Sequence, residues 1–137
     1  MSSTINRAKG LSGASKHTEV SEFLSNGPIT TGDWVMYDGS KSGADRLAYV
    51  VQGNATGMTA GVCLDTVASG GPVVRVVTSG YVEGAKTDTN VSAGDGLAPA
   101  ASGACAPVGV NAVTRTIGIA LENDSGTTCD VLVFGIR

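Results

Sequence analysis

One stretch of this chain is written twice, and that repeat limits what it can fold into. Gly61-Val62-Cys63-Leu64-Asp65 leads to Val74-Arg75-Val76-Val77, and 57 positions on, Gly118-Ile119-Ala120-Leu121-Glu122 leads to Val131-Leu132-Val133-Phe134. Each copy is an alternating run, a turn rich in Ser, Gly and Thr, and a β-branched run, the pattern of a β-hairpin. One hairpin cannot bury enough surface to stand alone, so two similar hairpins read as halves of one packed β-structure.

The repeat extends upstream. Ala93-Gly94-Asp95-Gly96-Leu97-Ala98 matches Thr31-Gly32-Asp33-Trp34-Val35-Met36, with the first copy five residues longer between this turn and the hairpin. Those five residues are assigned to a longer loop. Arg46-Leu47-Ala48-Tyr49-Val50-Val51 reads as a second strand, and Tyr81-Val82-Glu83 as a continuation of the first return strand. Twenty glycines, few aromatics and few charges in 137 residues suit short strands and tight turns, and the length fits one domain with its own core. The predicted fold is all-β: a small antiparallel barrel or sandwich over residues 31–137, made of two divergent repeats of about 31–84 and 93–137.

Residues 1–30 differ. They are rich in Ser, Thr, Gly and Lys, carry Arg7, Lys9 and Lys16 against Glu19 and Glu22, and space their apolar residues thinly as Leu11, Phe23, Leu24 and Ile29. Such a segment cannot offset its ordering entropy by its own burial. It reads as a flexible N-terminal arm that either stays loose or lies along a partner, for instance by adding a strand to a sheet edge.

The two return strands also differ. Beside Val74 and Val76 stand Arg75, Val77 and Ser79, whereas beside Val131 and Val133 stand Leu132, Phe134 and Ile136. Leaving the latter three in water would forgo about 1.5–3 kcal/mol each. Three covers suit them: a neighbouring subunit, the arm, or the middle of a barrel wall.

Catalytic chemistry is missing. His17, the only histidine, lies in the arm, where no fixed geometry holds it. Asp33 and Asp95 follow glycine ahead of a strand and read as turn-stabilising groups. Cys63, Cys105 and Cys129 are too far apart for a zinc or redox motif and read as buried thiols, Cys63 being matched by the small Ala120. No Gly-x-Ser-x-Gly elbow, phosphate loop or dense calcium loop is written. No enzyme, cofactor or metal is expected. A net charge of −3 gives no reason to expect nucleic acid, and no apolar run approaches the length that spans a bilayer. A soluble chain made in a cytoplasm is expected.

The paired Gly-Asp turns and the run Ile117-Gly118-Ile119-Ala120-Leu121-Glu122 before Val131-Leu132-Val133 resemble the small capsid decoration, or cement, proteins of tailed bacteriophages, the lambda-like ones among them. The resemblance implies a barrel-like domain forming homotrimers at three-fold or quasi-three-fold positions outside an icosahedral head. It further implies stabilisation of the expanded shell against packaged DNA, with the major capsid protein as partner and the arm touching it. Under that expectation Leu11, Phe23, Leu24 and Ile29 serve capsid binding, while Trp34, Tyr37, Leu132, Phe134 and Ile136 line the trimer contact. The alternative is a β-barrel module for a surface glycan, with Trp34, Tyr37, Tyr49 and Tyr81 as its candidate aromatics.

Overall fold

The computed structural model describes residues 18–88, 90–111 and 113–134. The described residues form nine strands: β1 (Glu19–Ser25), β2 (Trp34–Tyr37), β3 (Tyr49–Gln52), β4 (Thr59–Cys63), β5 (Val73–Lys86), β6 (Gly96–Pro99), β7 (Cys105–Pro107), β8 (Gly118–Ala120) and β9 (Thr128–Val133). Two short 3-10 turns, Gly43–Leu47 and Ala101–Gly103, are the only helical pieces among the described residues. The fold is all-β, as the composition and the repeat imply.

The strands follow the order β1-β3-β2-β4-β5-β9-β8-β6-β7, and β1 also pairs with β5. That extra pairing closes β1, β3, β2, β4 and the first half of β5 into a five-stranded barrel. Its interior holds Ile29, Val35, Val50, Ala60, Cys63, Val74 and Val76. The second half of β5 then joins β9, β8, β6 and β7. One parallel bridge, Thr87 to Cys105, links the ends of this second set.

The two sets share one wiring. In the first, β2 pairs with β3 and β4, and β4 with β5; in the second, β6 pairs with β7 and β8, and β8 with β9. The first half of β5 corresponds to β9, and β1 corresponds to the second half of β5. Even the closing contact repeats, since Ser25 meets Val50 in parallel as Thr87 meets Cys105. β5 is fourteen residues long because it serves one barrel as a wall and the next as the closing strand, bulging between Val82 and Ala85.

Register refines the repeat in two places. Cys63 pairs with Val76 and Ala120 with Val131, so the return strands match with Val76 on Val131, not Val74. The second hairpin turn is two residues shorter; an even slip leaves the alternation, and so the sequence pattern, intact. The extra length of the first copy lies between β2 and β3, where Arg46 and Leu47 form the 3-10 turn instead of a strand. Gly61 and Gly118 confirm the match. A Cβ on Gly61 would run into the Val77 carbonyl oxygen, and one on Gly118 would lie 2.6 Å from that of Leu132.

The boundary drawn after residue 30 does not hold. Glu19–Ser25 forms β1, which seals the first barrel, and Ile29 is 1% exposed in its core. A segment that composition left either loose or laid along a partner instead completes the chain's own sheet. Its outward residues Glu19 to Glu22 stay exposed, which made the segment read as unstructured, while β5 and β3 supply the backbone pairing that burial alone could not. Residues 1–17 lie outside the described residues.

Candidate interaction surface

The described residues offer little for catalysis. No group of His, Cys, Asp and Glu among them can hold a metal ion. Burial pushes the thiols of Cys63 and Cys129 up, and that of Cys105 to about 12. Protonated and enclosed, all three are inert core groups, as their spacing suggested. Asp33 and Asp95 are turn groups: each Oδ2 accepts a hydrogen bond at 2.9 Å from the backbone N of the residue three places earlier, Thr30 or Ser92. Among the described residues no helix is long and apolar enough to cross a membrane.

What the molecule offers instead is surface. In the first barrel, Trp34, Val62 and Val77 form one cross-strand row on the outer wall. All three are 2% exposed or less, because they pack into the second barrel's interior beside Leu97, Cys105, Ile117 and Val131. Trp34 is the plug. Its indole lies beside the Cys105 thiol, and its Nε1 has no oxygen acceptor. Ala85, in the same cluster as Trp34, and Pro99 stand where the first barrel has the larger Phe23 and Tyr37. Those two rings fill the first barrel from within, meeting edge to face at 5.7 Å.

The matching row of the second barrel is Gly96, Ile119 and Leu132, continued across β5 by Tyr81. Among the described residues no further barrel covers it. Val108 and Thr116 reach over one end, their side chains 3.5 and 3.7 Å from where a Gly96 Cβ would sit. Leu132 and Phe134 remain 38% and 39% exposed, with Leu121 exposed beside them. Carboxylates rim this strip. Asp130 accepts hydrogen bonds from the Tyr81 hydroxyl (3.0 Å) and from Gly84 N (3.1 Å), and Glu122 accepts one from Asp130 N (3.1 Å). Desolvation first, then the hydrogen bond to Asp130, push the Tyr81 hydroxyl up to about 12, so it is a neutral donor at any physiological pH.

A second feature is a groove of about 290 Å³ at the seam of the first barrel, lined by Glu22, Phe23, Leu24, Ala48 and Val73.

The structure therefore separates the residues that the sequence grouped. Of the four assigned to capsid binding, Ile29 is a core residue, Phe23 and Leu24 are half-buried at the groove, and Leu11 lies outside the described residues. Of the five assigned to a trimer contact, Trp34 is locked inside and Tyr37 is half-buried against Phe23. Leu132 and Phe134 share the exposed strip, and Ile136 lies outside the described residues. β9 does sit within a barrel wall, between β5 and β8, yet its off-face side chains are uncovered because only its other face meets the core. Sequence reasoning missed Tyr81, Ile119 and Leu121 as neighbours of this strip. The period-two spacing of Ile119 and Leu121 was legible, but which strands flank β9 was not.

The architecture has a counterpart among solved structures. The chain is similar to the N base of head fiber gp8.5 of bacteriophage phi29, with a TM-score of 0.60 and 14% identity over 86% of this chain and 94% of that one. At that identity the likeness is one of fold. No protein-family model matches the chain, and no curated protein matches it.

Proposed function

We propose that this protein is a structural component of a bacteriophage head, bound to the outer surface of the expanded icosahedral shell as a decoration protein and stabilising it against packaged DNA. The observation that carries the reading is the likeness, over nearly the whole of both chains, to a phage head fiber base. The resemblance to capsid decoration proteins adds to it independently, since it rests on the Gly-Asp turns and paired hairpins and not on overall shape.

The physical features suit such a role. Two barrels locked by Trp34 and sharing β5 make a stiff body, and stiffness lowers the entropy lost when a protein is fixed to a lattice. A protein that bridges several shell subunits needs only modest affinity at each contact. The glycan-binding alternative has less to work with: Trp34 is buried, and Tyr81 is engaged by Asp130.

The test is co-sedimentation of the purified protein with expanded, undecorated heads of its own phage. Saturable binding in multiples of three per three-fold axis is expected. Absence of binding, together with capture by an immobilised glycan array, would overturn the reading.

A further inference from the structure

The described chain begins at Thr18, and its position there is informative. Thr18 Oγ1 accepts a hydrogen bond from the backbone N of Tyr81 at 3.3 Å, and Tyr81 is the register partner of Leu132. β1 runs antiparallel to β5, with Ser21 beside Val76 and Glu19 beside Ser79. Thr18 therefore lies at the edge of the exposed apolar strip, at the end of β1 that points toward Glu83.

Charge and composition agree with that placement. Residues 1–17 carry Arg7, Lys9 and Lys16 and no Asp or Glu, with Ile5 and Leu11 as their larger branched apolar side chains. The strip is rimmed by Glu83, Glu122 and Asp130: Glu83 and Asp130 accept from the Tyr81 hydroxyl, Asp130 also from Gly84 N, and Glu122 from Asp130 N. The two ion pairs among the described residues, Arg75 with Asp65 and Lys86 with Asp33, lie elsewhere.

We propose that residues 1–17 dock on the Tyr81, Ile119, Leu132 and Phe134 face of their own second barrel, with Leu11 among those side chains and Arg7, Lys9 and Lys16 toward Glu83, Glu122 and Asp130. The segment is tethered at the edge of its site, so its effective concentration is on the order of millimolar and a weak contact suffices. This docking covers the row that no further barrel covers among the described residues, and it does not depend on the phage-head reading.

The experiment uses the full chain with Leu11 replaced by photoreactive benzoylphenylalanine, irradiated at low salt and mapped by peptide mass spectrometry. Crosslinks to residues 119–134 of the same chain are expected. Combining Arg7→Glu, Lys9→Glu and Lys16→Glu should lower their yield about fivefold, since three exposed charge pairs together contribute on the order of 1 kcal/mol. Crosslinks that join two chains, fall in the Glu22, Leu24 and Val73 groove, or keep their yield after charge reversal would overturn the proposal. Head binding is measured separately, so either idea can fail alone.

Discussion

Trp34, Val62 and Val77 in the first barrel and Gly96, Ile119 and Leu132 in the second occupy the same outward row, at matching register and on matching strands. The first row is buried, whereas in the second Gly96 and Ile119 are half-buried and Leu132 is exposed. Neither burial nor exposure is written in the row itself, since Val62-Val77 and Ile119-Leu132 are equally apolar. The difference is the partner. Trp34, Val62 and Val77 pack into the interior of the second barrel, where Ala85 and Pro99 stand in place of Phe23 and Tyr37; the matching row meets no such interior among the described residues.

The sharpest way to break this comparison is to place one polar group in both rows. Val77→Asn strands an amide in a dry interface and loses valine packing, and should cost about 4 kcal/mol, whereas Leu132→Asn should cost under about 1 kcal/mol. Urea unfolding followed by circular dichroism distinguishes them; equal losses would mean that the second row is packed as tightly as the first.

Removing the plug comes next. Trp34→Ala should destabilise by about 3–5 kcal/mol through the cavity it leaves. Trp34→Phe should cost under about 1.5 kcal/mol, because Nε1 has no oxygen acceptor to lose and most of the ring volume is kept. An equal cost for both would show that the N–H, not the volume, matters.

The paired turn carboxylates give a smaller contrast. Asp33 is 1% exposed, accepts from Thr30 N at 2.9 Å and Gln52 Nε2 at 3.1 Å, and lies 3.8 Å from Lys86 Nζ. Asp95 is half-buried, and among the described residues its side chain accepts only from Ser92 N. Asp33→Ala should cost about 1–3 kcal/mol and Asp95→Ala about 0.5–1 kcal/mol, measured as shifts in urea midpoint.

Acid sharpens the comparison least. Hydrogen bonds from Asn26 and Ser40 hold Asp38 below the usual carboxylate range, and those from Arg75 do the same for Asp65. Both belong to the first barrel. A depressed folded-state pKa means that their contribution is complete above the unfolded value, about 4, and is lost as pH falls below it through the folded values. Amide exchange at pH 3 should therefore accelerate in β2 to β4 before β8 and β9, and Asp38→Asn should flatten that difference.

Particular residues show how much was legible. The hairpins were, because period-two alternation at Val62, Leu64, Val74 and Val76 is a local pattern that any packed sheet must respect. The glycine pair Gly61 and Gly118 marked equivalent positions for the same reason, although the repeat alone did not show that a neighbouring carbonyl leaves no room for a Cβ. β1 and β7 were not legible. Glu19–Ser25 has its first four residues exposed, and Cys105–Pro107 lies in an Ala-rich stretch, so pairing with distant strands, not local preference, makes both into strands. The exposed strip was half legible: Leu132 and Phe134 stood out as apolar residues on an otherwise wet face, while Trp34 gave the same signal and proved to be core.

By itself the sequence determined that this protein is built from two similar β units, that its cysteines and turn aspartates are structural, and that one late strand is apolar on both faces. Only the tertiary structure decided that the units share β5, that Glu19–Ser25 closes the first, and that Trp34 enters the second while Leu132 stays outside. Alternation reports which side chains share a face, but the burial of a face depends on what another part of the chain brings against it.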